Sequence, residues 1–428
     1  MIYHDTLEFA HQLDEQDALK AFRDDFLIPK HNGEPAIYLC GNSLGLQPKS
    51  AKNYIQEQLN AWEDNAVEGW FIGNEPWLKY HRLLLGPLSN ILGAKETEIT
   101  VMNSLTVNLH LLMVSFYKPT GNRFKILMEA GAFPSDQYAM ESQVRFHGFD
   151  PKEAIIEVAP RPGETTLPTE DILKQIADNA NELALVMFSG INYYTGQFFD
   201  LEAISKAGHE AGAIVGFDLA HAAGNVPLKL HDWQADFACW CSYKYMNSGP
   251  GGISGIFVHE KHFNDTSLNR FAGWWGYRKD KQFLMAPGFE AEIGAEGWNV
   301  STSPIILMAL HRASLNIFEK AGGLQSLRAK SEMLTGYLEY IIGRVNDKYG
   351  EDVYQIITPT EKNQRGCQLS VVCKRDARTI FNYLAQNGVI GDWREPDVIR
   401  LSPVPLYNSY IDVYKAAQTL FKALGAVK

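Results

Sequence analysis

An apolar run, Asp236-Phe237-Ala238-Cys239-Trp240-Cys241, leads into Ser242-Tyr243-Lys244, and an earlier one, Ala213-Ile214-Val215-Gly216-Phe217, leads into Asp218-Leu219-Ala220-His221. Short apolar runs of this length are what buried strands of a parallel sheet look like in sequence. A lysine and an aspartate therefore stand just past neighbouring strands, about one βα unit apart. Open α/β sheets bind their ligands outside the carboxyl ends of the strands, where both residues fall. Taken singly, each has a plainer explanation: Asp218 as a helix cap and Lys244 as a solvated loop residue. As a pair they mark a candidate site.

That pair is what pyridoxal 5'-phosphate requires. A lysine forms a Schiff base with the cofactor aldehyde, and a carboxylate keeps the pyridine nitrogen protonated so that the ring accepts electrons. Lys244 and Asp218 are the candidate catalytic residues. Tyr243 precedes the lysine, and at a strand-to-loop corner its ring can turn towards the phosphate, although within a strand it would face the other way. His221 lies one helical turn beyond Asp218, within reach of its carboxylate, unless it is simply a satisfied helix residue.

Other segments offer the remaining groups. Ser104-Leu105-Thr106 opens an apolar helical run, and a helix N-terminus with two hydroxyls suits a phosphate dianion as well as it suits a plain N-cap. Phe133-Pro134-Ser135-Asp136 follows an apolar strand; Phe133 can stack on a pyridine ring and Asp136 can reach its polar edge, or Pro134 and Asp136 simply build a turn and a cap. Gly249-Pro250-Gly251-Gly252 lets backbone approach a ligand or turns into the next strand. Arg400 ends an apolar strand, and a guanidinium is the usual fork for an amino-acid carboxylate.

The pattern along the chain supports an α/β fold. Helices expected at 51–62, 104–117, 169–179 and 201–211 alternate with strands at 125–128, 154–158, 185–188, 214–217, 237–241 and 253–258, which argues for a mostly parallel central sheet. A helical segment is expected over 7–30. After about residue 300 come long helices (304–320, 326–349), strands (353–358, 367–372, 398–402) and further helices (377–387, 410–424), an α+β layout. The division expected is an N-terminal segment (1–50) packing with the small domain, a large cofactor-binding domain (51–300) and a small C-terminal domain (301–428).

A net charge of −11, without a basic block, speaks against nucleic acid as a partner. No apolar run approaches the roughly 20 residues of a membrane span. Met1-Ile2-Tyr3-His4-Asp5 lacks a secretory pattern. Cys40, Cys239, Cys241, Cys367 and Cys373 form neither a disulfide framework nor a zinc spacing, so reduced thiols, no metal and a cytoplasmic setting are expected.

Longer blocks carry a resemblance. Tyr38-Leu39-Cys40-Gly41-Asn42-Ser43-Leu44-Gly45, Ala132-Phe133-Pro134-Ser135-Asp136, Phe188-Ser189-Gly190, Gly216–His221, Cys241–Tyr245, Gly273-Trp274 and Arg400–Ser409 resemble kynureninases, in order and over nearly the whole chain. The resemblance implies a fold-type-I pyridoxal-phosphate enzyme, a homodimer, that cleaves L-kynurenine or L-3-hydroxykynurenine to an anthranilate and L-alanine in tryptophan breakdown and nicotinamide nucleotide precursor synthesis. It implies Lys244 as the Schiff-base lysine, Phe133 as the ring stack within the cofactor-binding run Phe133–Asp136, and Asp218 on the pyridinium with Asp136 and His221 nearby. Leu105, Thr106, Ser135 and Tyr243 would hold the phosphate, Ser189 would line the pocket, and Arg400 would take the substrate carboxylate. Trp274 would reach the phosphate from the partner subunit. Two positions depart from the family pattern: Thr302 stands for an asparagine and Tyr277 for a histidine, both beside the substrate's aromatic ring, which leaves the choice between the two substrates open.

Other chemistry fits parts of the chain. An aminotransferase or a cysteine desulfurase-like enzyme would use the same core residues, the latter with a cysteine on a mobile loop. Gly41-Asn42-Ser43-Leu44-Gly45 matches the GxSxG of serine hydrolases, although Pro48 follows closely. A binding protein on the same scaffold is a third alternative.

Overall fold

The strand-like runs collect into one seven-stranded sheet: β1 (Ile99–Val101), β2 (Lys125–Glu129), β3 (Ile155–Val158), β4 (Leu183–Ser189), β5 (Ile214–Asp218), β6 (Phe237–Trp240) and β7 (Gly255–Val258). The computed structural model describes residues 2–426; Met1, the first residue of the segment inspected for a secretory pattern, lies outside them. The strand order is β1-β7-β6-β5-β4-β2-β3. Strands β3, β2, β4, β5 and β6 pair in parallel, while β7 runs antiparallel to both β6 and β1. Successive residues of β6 feed opposite faces: Ala238 and Trp240 join one apolar core, Phe237 and Cys239 the other. Burial on both faces is why these strands read as unbroken apolar runs.

Helices Pro134–Phe146, Thr169–Asp178 and Leu201–Glu210 lie between successive strands from β2 to β5. The link from β5 to β6 differs from the expected βα unit: residues 220–225 form turns, with Asn225 Nδ2 donating to the His221 carbonyl at 2.9 Å.

A second sheet follows: β8 (Tyr354–Ile356), β9 (Leu369–Cys373), β10 (Asp392–Arg394) and β11 (Val398–Leu401), in the order β8-β9-β11-β10 and antiparallel throughout. Its core gathers Leu338, Ile341, Val371, Ile399, Val413 and Leu420, and takes in Ala10, Leu13 and Leu39 from the start of the chain. Helix Gly323–Tyr349 spans both cores, with Leu324 and Leu327 in the core of the large sheet and Leu334 onward in that of the small one.

The helix expected over 7–30 is a correction. It stops at Gln16, because Asp17 turns extended, accepts from the Leu19 amide at 2.9 Å and pairs with the buried Lys330 ammonium at 2.7 Å. Further on, Phe26–Leu27 is drawn into a short antiparallel pairing with Gln47–Pro48. Among the described residues, no helix is long and apolar enough to cross a membrane.

Candidate active site

Strands β4 and β5 end side by side, with Ser189 and Asp218 in register, and Cys239 of β6 pairs with Asp218 on its other side. Strand β6 ends at Trp240, so alternation no longer separates the next residues and both Tyr243 and Lys244 face the same cavity. That cavity, about 190 Å³, is also lined by Ser189, Asp218 and His221. Across it stand the N-termini of helices Leu105–Phe116 and Pro134–Phe146, which bring Leu105, Thr106, Phe133, Ser135 and Asp136 to the wall. Ten of the residues singled out in the sequence therefore meet in one place.

One end of the cavity suits an anion. Among the described residues, neither helix has a side-chain cap at its N-terminus; Pro134 has no N–H and the Asp136 amide donates to the Phe133 carbonyl at 2.8 Å, so the amides of Leu105, Thr106 and Ser135 are left open. Thr106 Oγ1 and Ser135 Oγ lie 2.7 Å apart and join the two helix starts. Dipole, amides and hydroxyls converge as a phosphate needs.

The other end holds buried acid groups. Asp218 Oδ1 accepts from the Ala220 amide at 2.7 Å. Burial raises its pKa, while the Ala220 bond, the Lys244 charge and the bond from Asp136 pull it back. Burial, then the Asp218 charge, pushes Asp136 well above the usual carboxylate range. Asp136 Oδ1 is buried without a hydrogen-bond partner among the described residues.

His221 departs from expectation. It sits in a turn rather than on a helix, and its Nε2 meets Lys244 Nζ at 2.9 Å instead of bonding the Asp218 carboxylate. Burial and the Lys244 charge hold the imidazole well below its usual pKa. A neutral ring accepting at Nε2 carries its hydrogen on Nδ1, and that atom is buried without a partner among the described residues. Phe133 is half-exposed, its ring 5.2 Å from Tyr193 in an edge-to-face contact and 5.9 Å from Lys244 Nζ. A pyridine ring bearing an aldehyde and a phosphate fits this set: an anion end, an open aromatic face, a carboxylate for the ring nitrogen, a lysine for the aldehyde, and unsatisfied polar atoms between them.

Five residues singled out in the sequence lie elsewhere. Pro134 occupies the first turn of its helix, where its fixed φ starts the helix that carries Ser135 and Asp136. Arg400 is fully buried in β11, 2.7 Å from Asp392, and donates to the Tyr193 carbonyl at 2.6 Å; it stands behind the wall that Tyr193 forms. Trp274 and Tyr277 line a separate hollow with Met285 and Phe289. Thr302 is exposed on the single chain.

Some site residues were missed. Tyr193 and Ser254 line the cavity, and Glu129 lies beneath it, bonded to Ser189. Glu129 directly follows the apolar run Lys125–Met128, the same signal that marked Asp218.

Gly41 and Gly45 have a packing reason rather than a catalytic one. A Cβ on Gly45 would lie 2.3 Å from the Lys244 carbonyl, and one on Gly41 2.5 Å from the Tyr407 hydroxyl. Ser43 bonds Asp392 and accepts from Arg400, not from a histidine, so GxSxG here is no nucleophile elbow. Cys367 and Cys373 are buried in the cores, with Cys367 Sγ 3.2 Å from Ser331 Oγ, which is no place for a mobile sulfur acceptor.

Comparison with known proteins agrees with this geometry. The profile of the kynureninase C-terminal domain matches residues 327–420. Kynureninase from Flavobacterium psychrophilum is 55% identical over 424 residues, 99% of each chain. The enzyme from Myxococcus xanthus is 53% identical over 98% of this chain and 97% of its own. Among solved structures, a variant of the cystine C-S lyase C-DES with glycine covalently linked to its PLP cofactor superposes with a TM-score of 0.74 at 15% identity, covering 90% of this chain and 96% of its own. A cysteine desulfurase from Thermococcus onnurineus gives 0.74 at 17%, covering 92% and 95%. Those likenesses set the fold, and the full-length relatives set the family: this chain is a pyridoxal 5'-phosphate-dependent hydrolase that belongs to the kynureninase family.

Proposed function

We propose that this chain hydrolyses the Cβ–Cγ bond of L-kynurenine or L-3-hydroxykynurenine, releasing anthranilate or 3-hydroxyanthranilate and L-alanine, with Lys244, Asp218 and Tyr243 as its catalytic residues. The observation that carries these assignments is a cavity-facing Lys244 and a buried Asp218 brought to one cavity by adjacent strands. Bound there, pyridoxal 5'-phosphate supplies an electron sink for the substrate's α-carbon. Asp218 would hold the proton on the ring nitrogen, with Asp136 beside it. Phe133 stacks on the ring, Ser189 and His221 line its edge, and Leu105, Thr106, Ser135 and Tyr243 hold the phosphate. Pro134 aims the helix start.

Lys244 Nζ takes the proton from the substrate Cα, oriented by His221 Nε2 at 2.9 Å. Burial raises the Tyr243 phenol above its ordinary pKa, so it begins protonated and can give a proton as water adds to the substrate's γ-carbonyl. Arg400 is assigned the substrate carboxylate, which requires the Tyr193 wall in front of it to open, since its guanidinium is held by Asp392 and the Tyr193 carbonyl. Tyr277 and Thr302 border the substrate's aromatic ring, and Trp274 reaches the phosphate from a second copy of the chain. Support for a homodimer comes from apolar surface: Phe71 packs on Phe283 at 5.8 Å, and Leu284 and Met285 beside it are 72% and 67% exposed. The free, mostly buried thiols suit a cytoplasmic enzyme.

Incubation of the protein and cofactor with each substrate in turn is expected to yield the anthranilate and alanine in equal amounts with no keto acid added. Alanine that appears only with a keto-acid acceptor, or no anthranilate at all, would sink this assignment.

A further inference from the structure

Glu129 ends β2 under the floor of the cavity and is 1% exposed. Its two carboxyl oxygens each lie 3.2 Å from the Ser189 amide, and Oε1 also takes the Ser189 hydroxyl. Ser189 lines the cavity and Glu129 does not, so the acid acts on the pocket through the serine. The floor thus carries buried carboxyl groups on three elements: Glu129 on β2, Asp218 on β5 and Asp136 on helix Pro134–Phe146. Facing them from the loops beyond β5 and β6 are His221, held neutral, and Lys244, the single cation lining the cavity among the described residues. One cation cannot balance three anions in a dry site, and protons must remain on part of the set. Burial pushes Glu129 up to about 7, with the Asp218 charge adding to it against the Ser189 bonds.

The two states of Glu129 give Ser189 different faces. An ionised Glu129 takes the Ser189 O–H, leaving oxygen lone pairs towards the cavity. A protonated Glu129 can donate to Ser189 Oγ, which frees the serine hydrogen for the cavity. We propose that Glu129 is a positioning residue, which fixes the Ser189 hydroxyl and, by gaining or losing its proton, sets whether Ser189 donates to or accepts from the bound cofactor. This rests on the assignment of Ser189 to the cofactor pocket.

The test uses the holoenzymes of Glu129→Gln, Glu129→Asp, Ser189→Ala and the Glu129→Gln/Ser189→Ala double variant. Two quantities are followed: the pH dependence of the bound cofactor's absorbance, and the cofactor dissociation constant. Glu129→Gln is expected to displace the absorbance titration and weaken cofactor binding about tenfold, the scale of one hydrogen bond to a charged group. Ser189→Ala should do likewise, the double variant should be no worse than either single one, and Glu129→Asp should restore part of the titration. A purely structural role would lower the thermal midpoint without moving the titration. A folded Glu129→Gln with parental titration and affinity overturns the proposal, and so do effects that add in the double variant. Should Glu129→Gln fail to fold, an unmoved titration in Ser189→Ala overturns it equally. Parental protein with a normal cofactor band but an unmoved Glu129→Gln titration rejects Glu129 alone, whereas a parental protein that binds no cofactor rejects the pocket and the proposal together.

Discussion

At the amino end of β6, Asp236 is buried and met on every side: the Val215 amide at 2.7 Å, His209 and His262 at 2.8 Å each, and the Lys261 ammonium at 2.7 Å. At the carboxyl end of neighbouring β5, Asp218 is also buried but rests on one backbone amide, with Lys244 and Asp136 nearby. Burial would raise the Asp236 carboxyl, yet its histidines and lysine outweigh burial and hold it far below the ordinary range. At Asp218 and Asp136 burial wins and both are raised. Glu98, beside the Asp236 end, is likewise met by several hydrogen-bond partners: it takes His231 Nδ1 and the amides of Lys95 and Glu260, each at 2.9 Å. Glu98, His231 and His259 bring ligand atoms within 4.8 Å, but His259 also spends its nitrogens on Lys261 N and the His231 carbonyl, so the cluster is a hydrogen-bonded clamp. One sheet therefore carries saturated acids where it must hold together and undersaturated acids where a ligand completes them.

Substitutions at the two ends should separate activity from stability. The largest effect is expected for Lys244→Ala: turnover falls about 10⁴-fold while the thermal midpoint stays near the parent's. Near-normal turnover would break the assignment of the cavity. Next, Asp218→Asn is expected to cut turnover about 10³-fold and to leave the cofactor-free protein as stable as the parent, since it removes a buried charge with few partners. A large loss of stability instead would place Asp218 with Asp236. For Asp236→Ala the expectation inverts: chemical denaturation should show a loss of about 3–5 kcal/mol, because His209, His262, Lys261 and the Val215 amide lose their acceptor, with kcat of the folded protein unchanged.

The contrast also explains what could be read in advance. Asp218 was legible because it closes an apolar run, and Lys244 because it stands a few residues past the next one; Glu129 carries the same signal as Asp218 and was still missed. Strands β2 and β4 to β7 were legible too, because burial on both faces leaves largely apolar runs, and edge strand β3 was legible from Ile155, Ile156 and Val158 despite its exposed Glu157. Strand β1, three residues long and antiparallel to β7, had no such run to announce it. The break at Asp17 was invisible because its cause, Lys330, lies over 300 residues away. Arg400 carries no local mark of its place behind Tyr193, and nothing local in the sequence sets Trp274, Tyr277 and Thr302 apart from the cavity.

The smallest expected effect is a difference in pH dependence between the two ends. Glu129 titrates at about 7 in the fold against an ordinary 4.5, so between those values the folded protein binds more protons than the unfolded one. Stability from this group is then full below about 4.5 and is lost as pH rises towards 7. Asp236 has the opposite sign. Its folded pKa lies below 3.8, so its contribution is full above that value and is lost as pH falls beneath it. Denaturation of the cofactor-free protein at pH 4.5, 5.5, 6.5 and 7.5 should therefore show a decline that Glu129→Gln flattens by about 1 kcal/mol or more, on the scale of 1.36 kcal/mol per pKa unit. Because His221 and the other titrating groups are present in both proteins, the difference between them isolates Glu129. An identical slope in the two would mean that Glu129 is ionised throughout, as securely paired as the acids at the other end of the sheet.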